Sequence, residues 1–294
     1  MATLSIFANF RINDEERFLR MKDSFNSFRD LPARKWVINA RGKYKEETLA
    51  FLTERLGNKL IPYRLESKQG WMHDTKQMLS NFDTDFVFFW VEDHINLVPA
   101  DKYQAIIDEM KDAGSEYLTY SWWHDGRPIE VYRELNKKET ANIYAFNIDR
   151  PALDLVKKKY SPFIMSIVGI FSTDLFKKIV TETGPFLRQY SKFCPFNFEK
   201  GPGETRWLPV RTAIPKMELA ASIDDGPGYC LQDRGLYPIR ELRNVPIQPV
   251  PSWKSFFRSR LKPFIPAFVY HSTLPAVILF GRIRTYLKLV LSGQ

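Results

Sequence analysis

The chain has 294 residues, of which 44% are hydrophobic and 26% charged. This composition excludes collagen-like and intrinsically disordered chains, and the length suits one large domain or one domain with an appendage. The net charge is +9, but residues 250–294 hold seven cations and no acid, so residues 1–249 carry only +2. Two cysteines are too few for a disulfide framework and favour a reducing compartment.

The hydrophobic pattern alternates between strand-like and helix-like segments. Short apolar runs predict strands at residues 4–8, 35–39, 59–65, 86–91, 117–123 and 144–147. Apolar residues at helical spacing predict intervening helices around residues 18–28, 49–56, 71–82, 103–110 and 171–179. Asn13 is the predicted N-cap of the first helix, with Glu16 completing a capping box, and Pro62 indicates an edge strand. The alternation predicts an α/β fold with a mostly parallel central sheet flanked by helices.

The run at residues 86–91 is apolar without alternation, which is typical of a parallel strand buried on both faces. It ends in Glu92, Asp93 and His94. Ligands of open α/β sheets bind beyond the carboxyl ends of the strands. Two acids and an imidazole there suit a divalent cation, or a ribose and a diphosphate. The alternative is that the three residues cap a turn and face solvent.

The stretch FVFFWVEDHINLVPAD resembles the strand–acid motif of GT-A fold glycosyltransferases, which use nucleotide-sugar donors. It is similar to the Glu-Asp-Asp form of the N-acetylglucosaminyltransferases, and the chain also resembles bacterial polysaccharide glycosyltransferases. The resemblance covers about residues 3–225. It implies a GT-A-like, Rossmann-like catalytic domain over 1–249, with a donor-binding part to about residue 126 and an acceptor part after it.

For the acidic motif, the resemblance implies that Glu92 and Asp93 bind the donor diphosphate and that Asp93 and His94 hold a divalent metal, Mn²⁺ or Mg²⁺. His94 stands where the family has an acid, and imidazole suits Mn²⁺ better than Mg²⁺. Two alternatives remain open. The metal rests on Asp93 alone, or cationic side chains replace it in stabilising the leaving diphosphate.

The resemblance also implies an inverting mechanism, in which a carboxylate takes the proton of the acceptor hydroxyl. Glu199 is the predicted base, and Glu204 in the same Gly-rich loop is the second candidate. The alternative for both is a solvated loop residue. Arg206 in this loop is predicted to bind diphosphate oxygens.

Polar and aromatic residues follow three of the predicted strands. Donor contacts are predicted for Phe10, Arg11, Asn39 and Arg41, and acceptor contacts for Trp122, His124 and Asp125. The alternative for Arg11 is a pair with Glu15. Asp224 either contributes near the metal or belongs to a plain turn.

Residues 250–294 interleave aromatic residues with cations and include the uncharged stretch 263–281. Three prolines and a histidine there disfavour a straight span, so we expect a helical tail lying in the membrane interface. A helix packed on the body, or a basic face for a protein or nucleic acid, is the alternative. We expect no nucleic-acid partner, because the cations lie beside long aliphatic runs.

The resemblance to bacterial polysaccharide glycosyltransferases, together with this tail, implies a peripheral enzyme at the cytoplasmic face of the inner membrane, acting in bacterial cell-surface polysaccharide or glycoconjugate synthesis. Its acceptor would be a glycan or a polyprenyl-diphosphate-linked saccharide. Two other classes remain. A nucleotidyltransferase would need a Gly-rich phosphate loop after the first strand, and ANFRIND has no glycine. The other is a non-catalytic, membrane-associated binding module.

Overall fold

The computed structural model describes residues 1–121, 132, 134–159, 165–181, 207–225 and 230–237, which lie in the compact unit Met1–Arg240. The strands are β1 (Leu4–Arg11), β2 (Ala33–Arg41), β3 (Leu60–Tyr63), β4 (Phe86–Phe89), β5 (His94–Asn96), β6 (Tyr117–Thr119), β7 (Lys137–Glu139), β8 (Ile143–Ile148), β9 (Gly169–Ser172), β10 (Val210–Pro215) and β11 (Ala220–Ser222). The helices are α1 (Glu15–Phe28), α2 (Lys45–Leu56), α3 (Trp71–Met78), α4 (Ala100–Ala113), α5 (Arg150–Lys159) and α6 (Thr173–Thr181).

Nine of the described strands form one sheet in the order β3-β2-β1-β4-β9-β6-β10-β8-β7. The first four strands of this order pair in parallel, and β10 pairs in parallel with β6. By contrast, β9 runs antiparallel to β4 and β6, and β8 runs antiparallel to β10 and β7. The predicted α/β fold with a mostly parallel sheet is confirmed, although two reversed strands make the sheet mixed.

The strand β4 lies inside the sheet, between β1 and β9, and its four residues are buried. Phe88 stacks on Tyr120 with ring centroids 4.4 Å apart. The strand ends two residues earlier than predicted, and side chains bind carbonyl groups at its end and beyond it. Tyr120 Oη donates to the Phe89 carbonyl at 2.7 Å, and Ser24 Oγ donates to the Val91 carbonyl at 3.3 Å. The chain then leaves the sheet with the acidic motif at its edge.

The first helix begins one residue later than the predicted cap. Asp14, rather than Asn13, is the N-cap, and its Oδ1 accepts the Arg17 N–H at 2.9 Å. Glu16 therefore completes no capping box with Asn13, and instead pairs with Arg20 Nε at 2.6 Å. The predicted apolar stripe faces the core through Met21, Phe25 and Phe28.

A two-stranded ribbon follows the acidic motif. In it β5 pairs antiparallel with β11, and His94 lies opposite Ser222. A second small core supports the ribbon and consists of Ala221, Ile223, Leu231 and Tyr237, with Ile95 packed against it. The ribbon thereby carries residues 222–225 to the carboxyl end of β4.

The predicted membrane-associating segment, residues 250–294, lies outside the described residues. Among the residues that the structure does describe, no helix is both long enough and apolar enough to cross a bilayer. The division near residue 249 and the membrane association of the tail stay predictions.

Candidate functional site

The carboxyl ends of β1, β2 and β4 meet at one edge of the sheet. Arg11 and Arg41 are opposite each other in the last pair of the β1–β2 ladder. The backbone N–H of Trp90, just after β4, donates to the Phe7 carbonyl of β1 at 2.8 Å. The arginines and the acidic motif therefore border the same region, where open α/β sheets bind their ligands.

Arg41 is a partly buried cation that has no partner in the described part of the chain. Its side chain makes no hydrogen bond or ion pair there, and its Nε is buried. Burial lowers the pKa of Arg41, and the charge of Arg11 acts in the same direction. Nearby Asp74, Glu66 and Glu92 oppose that shift without forming an ion pair. The guanidinium is thus available to an anionic ligand.

Arg11 is more exposed than Arg41 and is paired. Its guanidinium binds the carboxylate of Glu66, in the segment between β3 and α3. The alternative pairing with Glu15 is not the one in the structure. Side chains of both residues are more than two-fifths exposed, so the pair is weak enough to exchange for a ligand phosphate.

Phe10 and Asn39 are buried at the ends of their strands. The Phe10 ring packs edge-on against Trp90, with centroids 5.3 Å apart, and the residue is 6% exposed. The Asn39 amide bonds to Asn9 and to the backbone of Leu65. Both side chains therefore have internal contacts in the structure, and their predicted donor contacts stay predictions.

The acidic motif contains two carboxylates in different surroundings. Glu92 lies 3.5 Å from Arg17, and burial together with the charge of Asp93 raises the pKa of Glu92 to about 7. Asp93 lies 2.7 Å from His94 Nδ1. Burial works to raise the pKa of Asp93, but the hydrogen bond and charge of His94 more than offset it and lower the pKa. Asp93 is thus the carboxylate held ionised.

Helix α1 and the ribbon complete the acidic edge. Arg20 is 7% exposed and pairs with Glu16 and with Asp224, whose Oδ2 lies 2.7 Å from Nη1. The N–H of Ile223 donates to the Asp93 carbonyl at 2.8 Å. Burial alone would lower the pKa of Arg20, but its two carboxylate partners raise it. A third carboxylate, Asp224, is therefore held beside the motif.

The donor atoms at the acidic edge decide whether a divalent metal fits there. In the described ranges, no group of three His, Cys, Asp or Glu residues is arranged to hold a metal ion. The side chain of Asp93 is 41% exposed, whereas that of His94 is 5% exposed and its ring meets Tyr120 edge-on. Mg²⁺ and similar ions are commonly bound by one or two carboxylates plus substrate phosphates. Asp93 fits such a site, and the buried His94 fits better as the residue that orients it.

Six of the predicted site residues lie outside the described residues. They are the candidate bases Glu199 and Glu204, the diphosphate-binding candidate Arg206, and the acceptor-binding candidates Trp122, His124 and Asp125. Their predicted roles stay predictions.

The chain is similar in fold to known proteins among the solved structures. No family model matches the sequence, and no curated protein matches it either. Among solved structures, TarS from S. aureus aligns over 75% of this chain with a TM-score of 0.50 and 12% identity. The fold is therefore GT-A-like, and the structural neighbours that share it are glycosyltransferases. This confirms the resemblance inferred from the strand–acid motif at the level of fold.

Further solved structures are similar to smaller extents. TarS residues 1–349 in complex with UDP align over 74% of this chain, with 13% identity and a TM-score of 0.47. The mannosyltransferase PcManGT from Pyrobaculum calidifontis, in complex with GDP-Man and Mn²⁺, aligns over 60% with 10% identity and a TM-score of 0.38. The chain spans 36% of full TarS, 59% of its 1–349 fragment and 46% of PcManGT.

The structure adds residues to this candidate site that the sequence motifs did not single out. Arg17, Arg20 and Ser24 lie on one face of α1, at positions i, i+3 and i+7, and all contact the acidic edge. Their spacing in the sequence predicts that they share one face of the helix. The groups that they contact could not be predicted, because these groups come from segments far apart in the chain.

Proposed function

We propose that the protein is a glycosyltransferase that moves a sugar from a nucleotide-sugar donor to a glycan or lipid-linked saccharide. The observation that carries this proposal is the unpartnered guanidinium of Arg41 on the same sheet edge as the exposed carboxylate of Asp93, in a GT-A-like fold. A nucleotide-sugar offers the phosphate oxygens that such an arginine binds.

In the donor complex, Arg41 binds phosphate oxygens and Arg11 joins it by leaving Glu66. Asp93, oriented by His94, would hold a divalent cation together with the phosphates. When bound, that cation neutralises charge on the departing nucleotide. We infer this arrangement from the charges and exposure of the residues, which support Asp93 as the ligand and His94 as its hydrogen-bond partner.

For the transfer itself we propose direct displacement with inversion. The acceptor oxygen bonds to the anomeric carbon as the bond from that carbon to the donor phosphate oxygen breaks. The acceptor proton passes to Glu199, or to Glu204 if Glu199 is not the base, and the nucleotide leaves with the electron pair. Trp122, His124 and Asp125 would contact the acceptor, and Arg206 the leaving group. Support for these roles comes from the motif resemblance.

We also propose that residues 250–294 bind the cytoplasmic face of the inner membrane and bring a polyprenyl-diphosphate-linked acceptor to the site, in cell-surface polysaccharide synthesis. Cations among aromatic residues favour anionic membrane surfaces. The test compares the full chain with a chain ending at residue 250 in sedimentation with anionic liposomes. We expect only the full chain to pellet. Equal pelleting of both would contradict the role of the tail.

Thermal unfolding with a panel of UDP-, GDP- and CMP-sugars, with and without Mn²⁺, tests the proposed function. We expect one nucleotide class to raise the melting temperature, because a ligand that binds only the folded state stabilises it. Stabilisation by none of them would contradict donor binding. Stabilisation without any sugar transfer to saccharide acceptors would indicate a binding module instead.

A further inference from the structure

A buried amide connects the end of β2 to the segment that follows β3. Asn39 is fully buried. Its Nδ2 donates to Asn9 Oδ1 at 3.0 Å and to the Leu65 carbonyl at 2.9 Å, and its Oδ1 accepts the Leu65 N–H at 2.7 Å. Both amide hydrogens are used, so an ionised aspartate at this position would lose both donated bonds.

A second amide continues the network to helix α3. Asn9 Nδ2 donates to Thr75 Oγ1 at 2.9 Å and to the Trp71 carbonyl at 3.3 Å. The indole Nε1 of Trp71 returns a hydrogen bond to the Asn9 carbonyl at 2.7 Å. Thr75 is also fully buried, and its hydroxyl donates to the Trp71 carbonyl at 2.9 Å. The ends of β1 and β2 are thus joined to both ends of segment 65–71.

The Asn39 side chain continues the hydrogen bonding beyond the last backbone pair of β2 and β3. The last residue pair between β2 and β3 joins Asn39 to Tyr63. Beyond it, the amide of Asn39 makes with Leu65 the reciprocal pair of bonds that a neighbouring strand would make. This holds segment 65–71 against the sheet edge without a further strand.

This segment in turn sets the surroundings of both arginines. Glu66 pairs with Arg11. The N–H of Ser67 lies 3.1 Å and 3.3 Å from the two oxygens of Asp74, which is 1% exposed and is one of the acids acting on Arg41. A shift of segment 65–71 would therefore move Glu66 away from Arg11 and withdraw the Ser67 N–H from Asp74.

We infer that Asn39 and Asn9 are positioning residues for the donor site, which act on donor affinity through segment 65–71 and not by touching the donor. Arg11 and Arg41 contact the ligand. The amides hold Glu66, which orients Arg11 until the donor binds, and the Ser67 N–H, which fixes Asp74 near Arg41. This inference rests on the proposed function.

The test uses the full-length chain with substitutions that remove or keep single bonds. Asn39→Asp removes the two Nδ2 bonds. Thr75→Val removes the hydroxyl bonds without adding a charge, and Thr75→Ser keeps them. Ile107→Val removes one methyl from the core away from the network, and so controls for lost stability. UDP, GDP and CMP are titrated by calorimetry, and hydrogen exchange is followed over residues 64–71.

We expect Asn39→Asp and Thr75→Val to speed exchange over residues 64–71 and to weaken nucleotide binding about tenfold, as the loss of a buried hydrogen-bond partner does. Thr75→Ser and Ile107→Val should keep wild-type affinity. If Asn39→Asp does not fold, the uncharged variant Thr75→Val, compared with Thr75→Ser, tests the inference.

Two results would overturn this inference and leave the proposed function standing. One is faster exchange over the segment with unchanged affinity. The other is weaker binding with unchanged exchange, which would mean direct contact of Asn39 with the nucleotide. If the wild-type chain binds none of the three nucleotides, the proposed function fails and this inference fails with it.

Discussion

The two sides of the ligand-binding edge differ in how their charges are compensated. On the acidic side, formed by the end of β4, α1 and the ribbon, Glu92 lies near Arg17, Asp93 near His94, and Asp224 pairs with Arg20. On the arginine side, at the ends of β1 and β2, Arg41 has neither hydrogen bond nor ion pair within the described structure.

This difference separates groups that hold the site together from a group that is available to a ligand. A buried charge without a partner costs free energy, whereas paired charges maintain geometry. The acidic side therefore supplies a carboxylate that is held in place, and the arginine side supplies a cation that can pair with a phosphate. Both are required if the ligand is a nucleotide-sugar.

The largest expected effect is on catalysis and comes from the acidic side. Asp93→Asn removes the exposed carboxylate while keeping its shape, and we expect sugar transfer to fall on the order of 10³-fold. Release of nucleotide from the donor measures this. Asp154→Asn, on the exposed face of α5, is the matched control. Wild-type activity of Asp93→Asn would contradict a role of Asp93 in sugar transfer.

Next is an effect on stability, also on the acidic side. Arg20→Met leaves Glu16 and Asp224 without their cation in a buried setting, and we expect a loss of about 3 kcal/mol in the free energy of unfolding. Urea denaturation measures it. The exposed pair of Arg29 with Asp30 gives the control, because Arg29→Met should cost less than about 0.5 kcal/mol. Equal losses of stability in Arg20→Met and Arg29→Met would mean that the ion pairs of Arg20 do not stabilise the fold.

The opposite result is expected on the arginine side. Arg41→Met should weaken nucleotide binding roughly 10-fold to 100-fold, as the loss of a charged hydrogen bond does. It should not reduce stability, because it removes a cation that lacks a partner. Calorimetry and urea denaturation of the same preparation separate the two effects. Weaker binding accompanied by a large loss of stability would contradict this account of Arg41.

The smallest effect lies at the other end of the same strands, where charges are paired and no ligand is proposed. The ammonium of Lys111, with the hydroxyl and N–H of Thr3, holds the pKa of Asp85 down at about 2, although burial opposes this. Asp85→Asn should cost about 1 kcal/mol at neutral pH.

The pH dependence of that cost has a defined sign. A lowered pKa in the folded state adds stability above the unfolded value near 4, and this stability is lost as the pH falls through about 2. Urea midpoints of wild type and Asp85→Asn should therefore converge between pH 4 and pH 2. A constant difference across this range would mean that the Asp85 charge does not stabilise the fold.

Local patterns predicted the elements that carry the site. The apolar run before Glu92 is the buried interior strand β4, Pro62 lies in the edge strand β3, and the carboxyl ends of the parallel strands bring Arg11 and Arg41 together. These features depend on residues close in the chain or on a general property of parallel sheets. They could therefore be inferred from the sequence alone.

Long-range pairings could not be inferred in the same way. Nothing in the local pattern places the reversed strand β9 between β4 and β6. Asn39 follows its strand as a ligand-binding residue would, and only the position of Leu65 shows that its amide is used within the fold. Asp224 meets the acidic motif through the ribbon, which joins segments more than a hundred residues apart.

Hydrogen exchange of the full-length chain with and without a nucleotide-sugar tests the central claim most directly. The two-sided site predicts that the bound donor slows exchange together at residues 9–12, 39–44 and 90–94, and that Arg41→Met reduces this protection. Protection confined to other parts of the chain, or none with any UDP-, GDP- or CMP-sugar, would contradict a donor site at the ends of β1, β2 and β4.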